Sequence, residues 1–190
     1  MNYIAINLLL SLLFSQALPQ RSVECSLSKT FVTGFLTAKY SSNWKAYHYG
    51  GKHLLMYYEE ANFDRREDAE ITFSETAIPD NFKMDTMTLA SQFMIDGLNL
   101  VRNDPKFQQS NGNVKITDES IEKINGNTWH KIMVEMSVED KDKRLDTTLT
   151  SYFRYTPLVV FIVSFRVELP NIPTVEKEFP CILKSITFKE

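Results

Sequence analysis

The residues best placed to do chemistry are two histidines, His48 and His53, on either side of Gly50-Gly51. Consecutive glycines reach positive φ at no steric cost, so the pair suits the two-residue loop of a β-hairpin. With that loop, Tyr49 opposes Lys52 and His48 opposes His53. Directly opposed residues share a face, with Cβ atoms about 4.5–5.5 Å apart. Two imidazoles so placed could hold a transition metal if a third ligand joined them, either His130 or a carboxylate. They could equally form a pH-sensitive pair, or sit on an exposed hairpin and do nothing.

Tyr47, Tyr49, Tyr57 and Tyr58 crowd the same hairpin. Strand alternation leaves some of them exposed, and an exposed tyrosine surface suits a protein or glycan partner. Strand propensity alone also favours tyrosine there. The two cysteines, Cys25 and Cys181, lie in no motif that would activate a thiol. In an oxidising compartment an even pair invites a disulfide. Closing so long a loop would restrict the unfolded chain by about 5 kcal/mol. The competing reading is two buried thiols acting as small hydrophobes.

Several functions are excluded by what is missing. The chain has no His-Glu-x-x-His, Gly-x-Ser-x-Gly, P-loop or dinucleotide fingerprint. Only six glycines in 190 residues leave little room for phosphate-cradling loops. Net charge is -3, with acids and bases interspersed and no basic stripe, which argues against a nucleic-acid partner. The reading is of a non-enzymatic domain without a bound organic cofactor.

The compartment follows from the start of the chain. Residues 4–14 are apolar but too few to span a bilayer comfortably, and Ser15-Gln16-Ala17 suits signal peptidase. Residues 1–17 are therefore expected to be a signal peptide and 18–190 a single globular domain. Cys25 follows Val23-Glu24, which is unsuited to lipidation. The strongest later apolar run, 158–165, has the length of a strand and not of a membrane span. The absence of any Asn-x-Ser/Thr sequon favours a bacterial periplasmic or secreted protein.

The elements that must position these residues are mostly strands. Residues 31–40, 44–49, 52–59 and 69–76 read as strands by alternation and β-branched content. Residues 85–102 switch to a period of 3.6, with Met87, Ala90, Met94, Leu98 and Val101 on one stripe, so a helix is expected there, stopped near Asp104-Pro105. Residues 114–124 and 128–138 flank Asn125-Gly126, a strong hairpin signal. Residues 145–155 and 158–169 flank Thr156-Pro157. The run 158–163 is apolar on both faces and belongs in the middle of a sheet covered on both sides. A final helix over 173–183 starts at Pro173 and meets Pro180, which should interrupt or kink it. One antiparallel sheet flanked by helices, an α+β class, accounts for this order.

That arrangement resembles the PsbP-like family of α/β/α sandwich domains, which includes small exported bacterial proteins of the DcrB type. The resemblance rests on Trp44 at an early strand and on the strand Ala69-Glu70-Ile71-Thr72-Phe73-Ser74. It rests also on the helix that follows, the Asn125-Gly126 hairpin, and the close Phe179-Pro180-Cys181-Ile182-Leu183-Lys184-Ser185-Ile186-Thr187-Phe188. Asn43 stands before Trp44, where family members often place glycine. The resemblance implies a non-enzymatic accessory or binding domain with a protein partner in the exported compartment. A small-ligand or metal-binding protein is the alternative function, and a helix-grip or cystatin-like sheet is the alternative fold.

Overall fold

A strand that is apolar on both sides must be covered on both sides, and that requirement organises the molecule. The computed structural model describes residues 25–49, 52–57, 69–78, 86–140, 143–167 and 173–189. The expected signal peptide, Tyr58 and the Gly50-Gly51 loop lie outside them. In chain order the elements are β1 (Lys29–Val32), β2 (Leu36–Tyr40), β3 (Trp44–Tyr49), β4 (Lys52–Tyr57), β5 (Ala69–Ala77), α1 (Thr86–Arg102), α2 (Pro105–Gln109), β6 (Asn113–Ile124), β7 (Asn127–Asp140), β8 (Lys143–Tyr155), β9 (Val159–Val167), α3 (Pro173–Lys184) and β10 (Thr187–Phe188). The seven-stranded sheet runs β3-β4-β5-β9-β8-β7-β6, which puts the apolar β9 in its centre. Every pairing in it is antiparallel.

Each face of this sheet has its own core. On the inner face Trp44, Leu55, Ile71, Phe73, Tyr152, Val163 and Phe165 pack with Phe31, Leu36 and Ala38 and with Val175, Phe179, Ile182 and Leu183 of α3. On the other, the helix face, Ala90, Met94 and Leu98 of α1 pack on Val114, Ile132, Val134, Phe153 and Val160. The result is the expected layering of helix, sheet and helix.

Several expectations need correction, the first being the single sheet, since the strands form two. Residues 31–40 are not one strand. Thr33 Oγ1 accepts from the backbone N–H of Phe35 and Leu36 and turns the chain, so β1 folds back on β2. Residues 187–188, beyond the expected last helix, are the third strand of this small sheet, with β10 on the other side of β2. The stop signal Asp104-Pro105 also starts a helix. Asp104 Oδ1 accepts from the N–H of Lys106 and Phe107, and proline at the first turn has no N–H to lose. Nor does Pro180 end α3. The helix runs on to Lys184 with Pro180 exposed, while Val175, Phe179, Ile182 and Leu183 stay buried.

A disulfide and a shared carboxylate are among the ties that hold α3 to the sheets. Cys25 and Cys181 are bonded as a disulfide, with Cα atoms 6.2 Å apart. Glu178 receives Ser41 Oγ at 2.8 Å, Trp44 Nε1 at 2.8 Å and Asn43 Nδ2 at 2.9 Å. One carboxylate thus satisfies an indole buried in the core and orders the turn between β2 and β3.

Candidate functional site

The hairpin register places the two histidines as the sequence suggests. His48 pairs with His53 and Tyr49 with Lys52. The imidazoles meet at their Nδ1 atoms, 2.9 Å apart, with ring planes at 69°. Aromatic rings fix both of them. Phe31 stacks beneath His48 at 4.8 Å and 5°, and Phe35 meets the His53 ring edge-on at 5.9 Å. Phe31 is buried, His48 exposed and His53 half-buried, so the pair has a dry floor and an open side.

His130 does not join this pair. Following the pairings, His53, Phe73, Val163, Tyr152 and Lys131 form one row across the inner face. At about 4.8 Å per strand, Lys131 is about 19 Å from His53. His130, one residue along, points to the opposite face. Among the described residues no third His, Cys, Asp or Glu completes a cluster with His48 and His53.

The same alternation separates the tyrosines. Tyr47 is on the helix face and 39% exposed. The side chain of Tyr49 lies outside the described residues. Tyr57 turns inward, 8% exposed and packed on Trp44 with ring centroids 5.5 Å apart. It is a core residue and not part of a partner surface, because directly opposed residues share a face and its partner is Trp44.

Sequence reading missed a polar trio on the helix face. Ser91 Oγ donates to Glu119 Oε1 at 2.6 Å, and the same oxygen lies 2.9 Å from His130 Nε2. The hairpin at Asn125-Gly126 signals this pair, since Ile121 opposes His130 and Glu119 sits two residues away on the same face. A nucleophilic serine needs the imidazole beside it as its base. Here the carboxylate stands between them, so the wiring does not activate Ser91. His130 is 3% exposed, and its Nδ1 is buried without a partner. The trio couples α1 to the sheet.

On the inner face Lys131 Nζ sits 3.0 Å from Asp118 and 3.4 Å from Glu122, beside the Tyr152 ring. Burial pulls the Lys131 pKa down, but the Asp118 hydrogen bond and the neighbouring Tyr152, Glu122 and Asp118 hold it above the usual lysine value. Burial pushes the Tyr152 phenol up, reinforced by Glu122. The Arg154 guanidinium lies 4.0 Å from the Phe188 ring centroid, and burial lowers its pKa.

Two further features face outward. An apolar cavity of about 270 Å³ opens between α1 and the sheet, walled by Ile78, Ala90, Phe93, Phe153, Val160 and Ile162. Phe93, at its mouth, is 54% exposed. The two edges of the large sheet also differ. The β6 edge carries Lys115, Asp118, Glu119, Glu122 and Lys123 and a bulge between Ile116 and Asp118. Such features blunt an edge against further pairing. The β3 edge has an unbroken register and Lys45 as its one formal charge, and Lys45, Ala46, Tyr47 and His48 are exposed.

These features define an α/β/α sandwich without the wiring of a nucleophilic hydrolase among its described residues. The fold is PsbP-like. The chain superposes on cyanobacterial PsbP (CyanoP) from Synechocystis sp. PCC 6803 with a TM-score of 0.55 at 10% identity, covering 85% of this chain and 92% of that one. It superposes on LpqN, involved in cell envelope biogenesis of Mycobacterium tuberculosis, with a TM-score of 0.51 at 10% identity, covering 82% and 83%. A protein from Bacteroides thetaiotaomicron matches with a TM-score of 0.51 at 15% identity over 86% of this chain. The chain spans about half the length of that protein, 49%. No protein-family model and no curated protein matches the chain. No helix among the described residues is long and apolar enough to cross a membrane.

Proposed function

We propose that this is an exported, non-enzymatic accessory domain that binds a protein partner, and that the exposed β3 edge receives it. The asymmetry of the two sheet edges carries this reading. One edge is bulged and charged, whereas the other offers a regular ladder flanked by Tyr47 and His48. An open edge can accept an extended segment by main-chain pairing, with alternate side chains supplying specificity. The PsbP-like fold and the Cys25–Cys181 disulfide support an exported accessory role.

The test places a photo-crosslinking residue at position 47 and recovers adducts from the native compartment. A discrete adduct is expected with the parent chain and not with Ala46→Pro, which removes one edge donor. An identical adduct from the Ala46→Pro chain, at an unchanged melting temperature, would refute the edge.

A second reading, binding of a small apolar ligand, is favoured by the cavity under α1. Its volume of about 270 Å³ is nearly twice that of an engineered apolar cavity, about 150 Å³, that holds benzene. Ala90→Phe fills it from the helix side, and Phe93→Ala removes its exposed wall. Uptake of an alkylbenzene, read by NMR shifts of the Ile78 and Val160 methyls, should be lost in the first variant and weakened in the second. Methyl shifts that do not respond to the alkylbenzene in the parent protein would end this reading.

A further inference from the structure

The distance between the two imidazole nitrogens selects a metal geometry. From the hairpin geometry we infer that His48 and His53 form a cis two-nitrogen chelate for a tetragonal metal ion, Cu(II) above all, and not a tetrahedral zinc site. The inference is independent of the docking role of β3. With metal–imidazole bonds of about 2.0–2.1 Å, a separation of 2.9 Å subtends about 90° at the metal. That is the cis angle of a square plane, the geometry of Cu(II) and Ni(II). A tetrahedral site needs the same nitrogens about 3.3 Å apart.

The donors are matched and preorganised. Both facing atoms are Nδ1 and now share a hydrogen bond; a metal about 2.0–2.1 Å from each would lie about 1.4 Å to one side of the line between them and take the place of that bond. Phe31 fixes the His48 plane by stacking, and Phe35 fixes the His53 ring at its edge. The strand register sets the Cβ positions. The apolar floor limits approach from below, and the exposed side of His48 leaves the remaining coordination positions to water. No additional protein ligand comes from the described residues, so the site is open and exchangeable and not a buried structural centre.

Electron paramagnetic resonance of the intact mature protein titrated with Cu(II) tests this. The expected result is one copper per chain bound at this pair, a near-axial tetragonal signal and coupling to two imidazole nitrogens. His48→Ala removes the ring stacked on Phe31 and should lower the melting temperature by only a few degrees, leaving a folded protein to titrate. It should weaken binding by at least the roughly 10–100-fold that losing even an outer-sphere partner costs a metal site. The His48→Ala, His53→Ala double variant should lose the signal, and copper should raise the melting temperature of the parent protein only. Copper outbinds zinc at any pair of imidazoles, so the geometric argument is overturned instead by a copper signal that is rhombic and tetrahedrally distorted. The same copper spectrum in the double variant overturns the site.

Discussion

Glu178 is the most informative residue to change, because one carboxylate serves three donors in different surroundings. Glu178→Ala leaves Trp44 Nε1 and Ser41 Oγ facing a void, and both residues are buried, at 0% and 4% exposure. A buried donor stripped of its acceptor costs about 1–3 kcal/mol. Asn43 is exposed, so water replaces its bond at little cost. Two stranded donors at the lower half of that range give a loss of about 3 kcal/mol, or a fall in melting temperature of about 6–12 °C for a domain of this size. Glu178→Gln keeps an acceptor oxygen for Trp44 and Ser41, and the exposed Asn43 amide can rotate to accept from the new NH2 group. Its cost should be about 1 kcal/mol, the loss of charge assistance. Urea unfolding followed by tryptophan emission and far-ultraviolet dichroism measures both variants. Glu178→Ala within about 0.5 kcal/mol of the parent, or Glu178→Gln as costly as Glu178→Ala, would refute the reasoning.

Other expectations follow from the same geometry. Replacing Cys25 and Cys181 with serine should cost up to about 5 kcal/mol by loop entropy, since 156 positions separate the bonded residues. Calorimetry of the parent protein with and without reductant gives the same comparison, and an unchanged midpoint would show that the bridge adds nothing. Tyr152 and Lys131 both have folded pKa values raised above 10.0 and 10.5. Their stabilisation is therefore complete below about pH 10 and lost as pH rises through the folded values. The urea midpoint should fall above pH 10, less steeply in Tyr152→Phe, and an equal slope in both would exclude the tyrosine. Gly112→Ala would bring a Cβ within 2.5 Å of the Phe107 carbonyl oxygen, so the turn after α2 must shift. A loss of about 1–3 kcal/mol is expected in urea unfolding, and a neutral result would mean the turn yields freely.

Local rules written in a few residues were legible in the sequence. Asn125-Gly126 set a hairpin, and both residues adopt positive φ, 50° and 75°. The Gly50-Gly51 spacing set the register that opposes His48 to His53. The two-sided apolar run placed β9 at the sheet centre. What stayed hidden depends on contacts between distant segments. No local pattern says that Phe188 pairs with Leu36, or that Glu178 reaches Trp44. The burial of Tyr57 follows from its partner across the hairpin, which a count of tyrosines ignores. The apolar cavity arises where α1 covers only part of the sheet, a matter of helix placement that the stripe of Ala90, Met94 and Leu98 does not fix.

The small sheet has a consequence for the order in which the chain can mature. Its central strand β2 lies between β1 and β10, and Lys39 bonds a side chain 146 positions further on, that of Ser185. During synthesis Trp44 and Leu55 emerge long before Phe179 and Ile182, which bury them. Until α3 and β10 have left the ribosome, half of the large sheet has no lid and the latch at Glu178 cannot form. The inner core therefore stays open until residues 173–188 have been made, whatever the helix face has done by then. A polypeptide that locks only at its final helix can still be threaded through a narrow channel while it is being made.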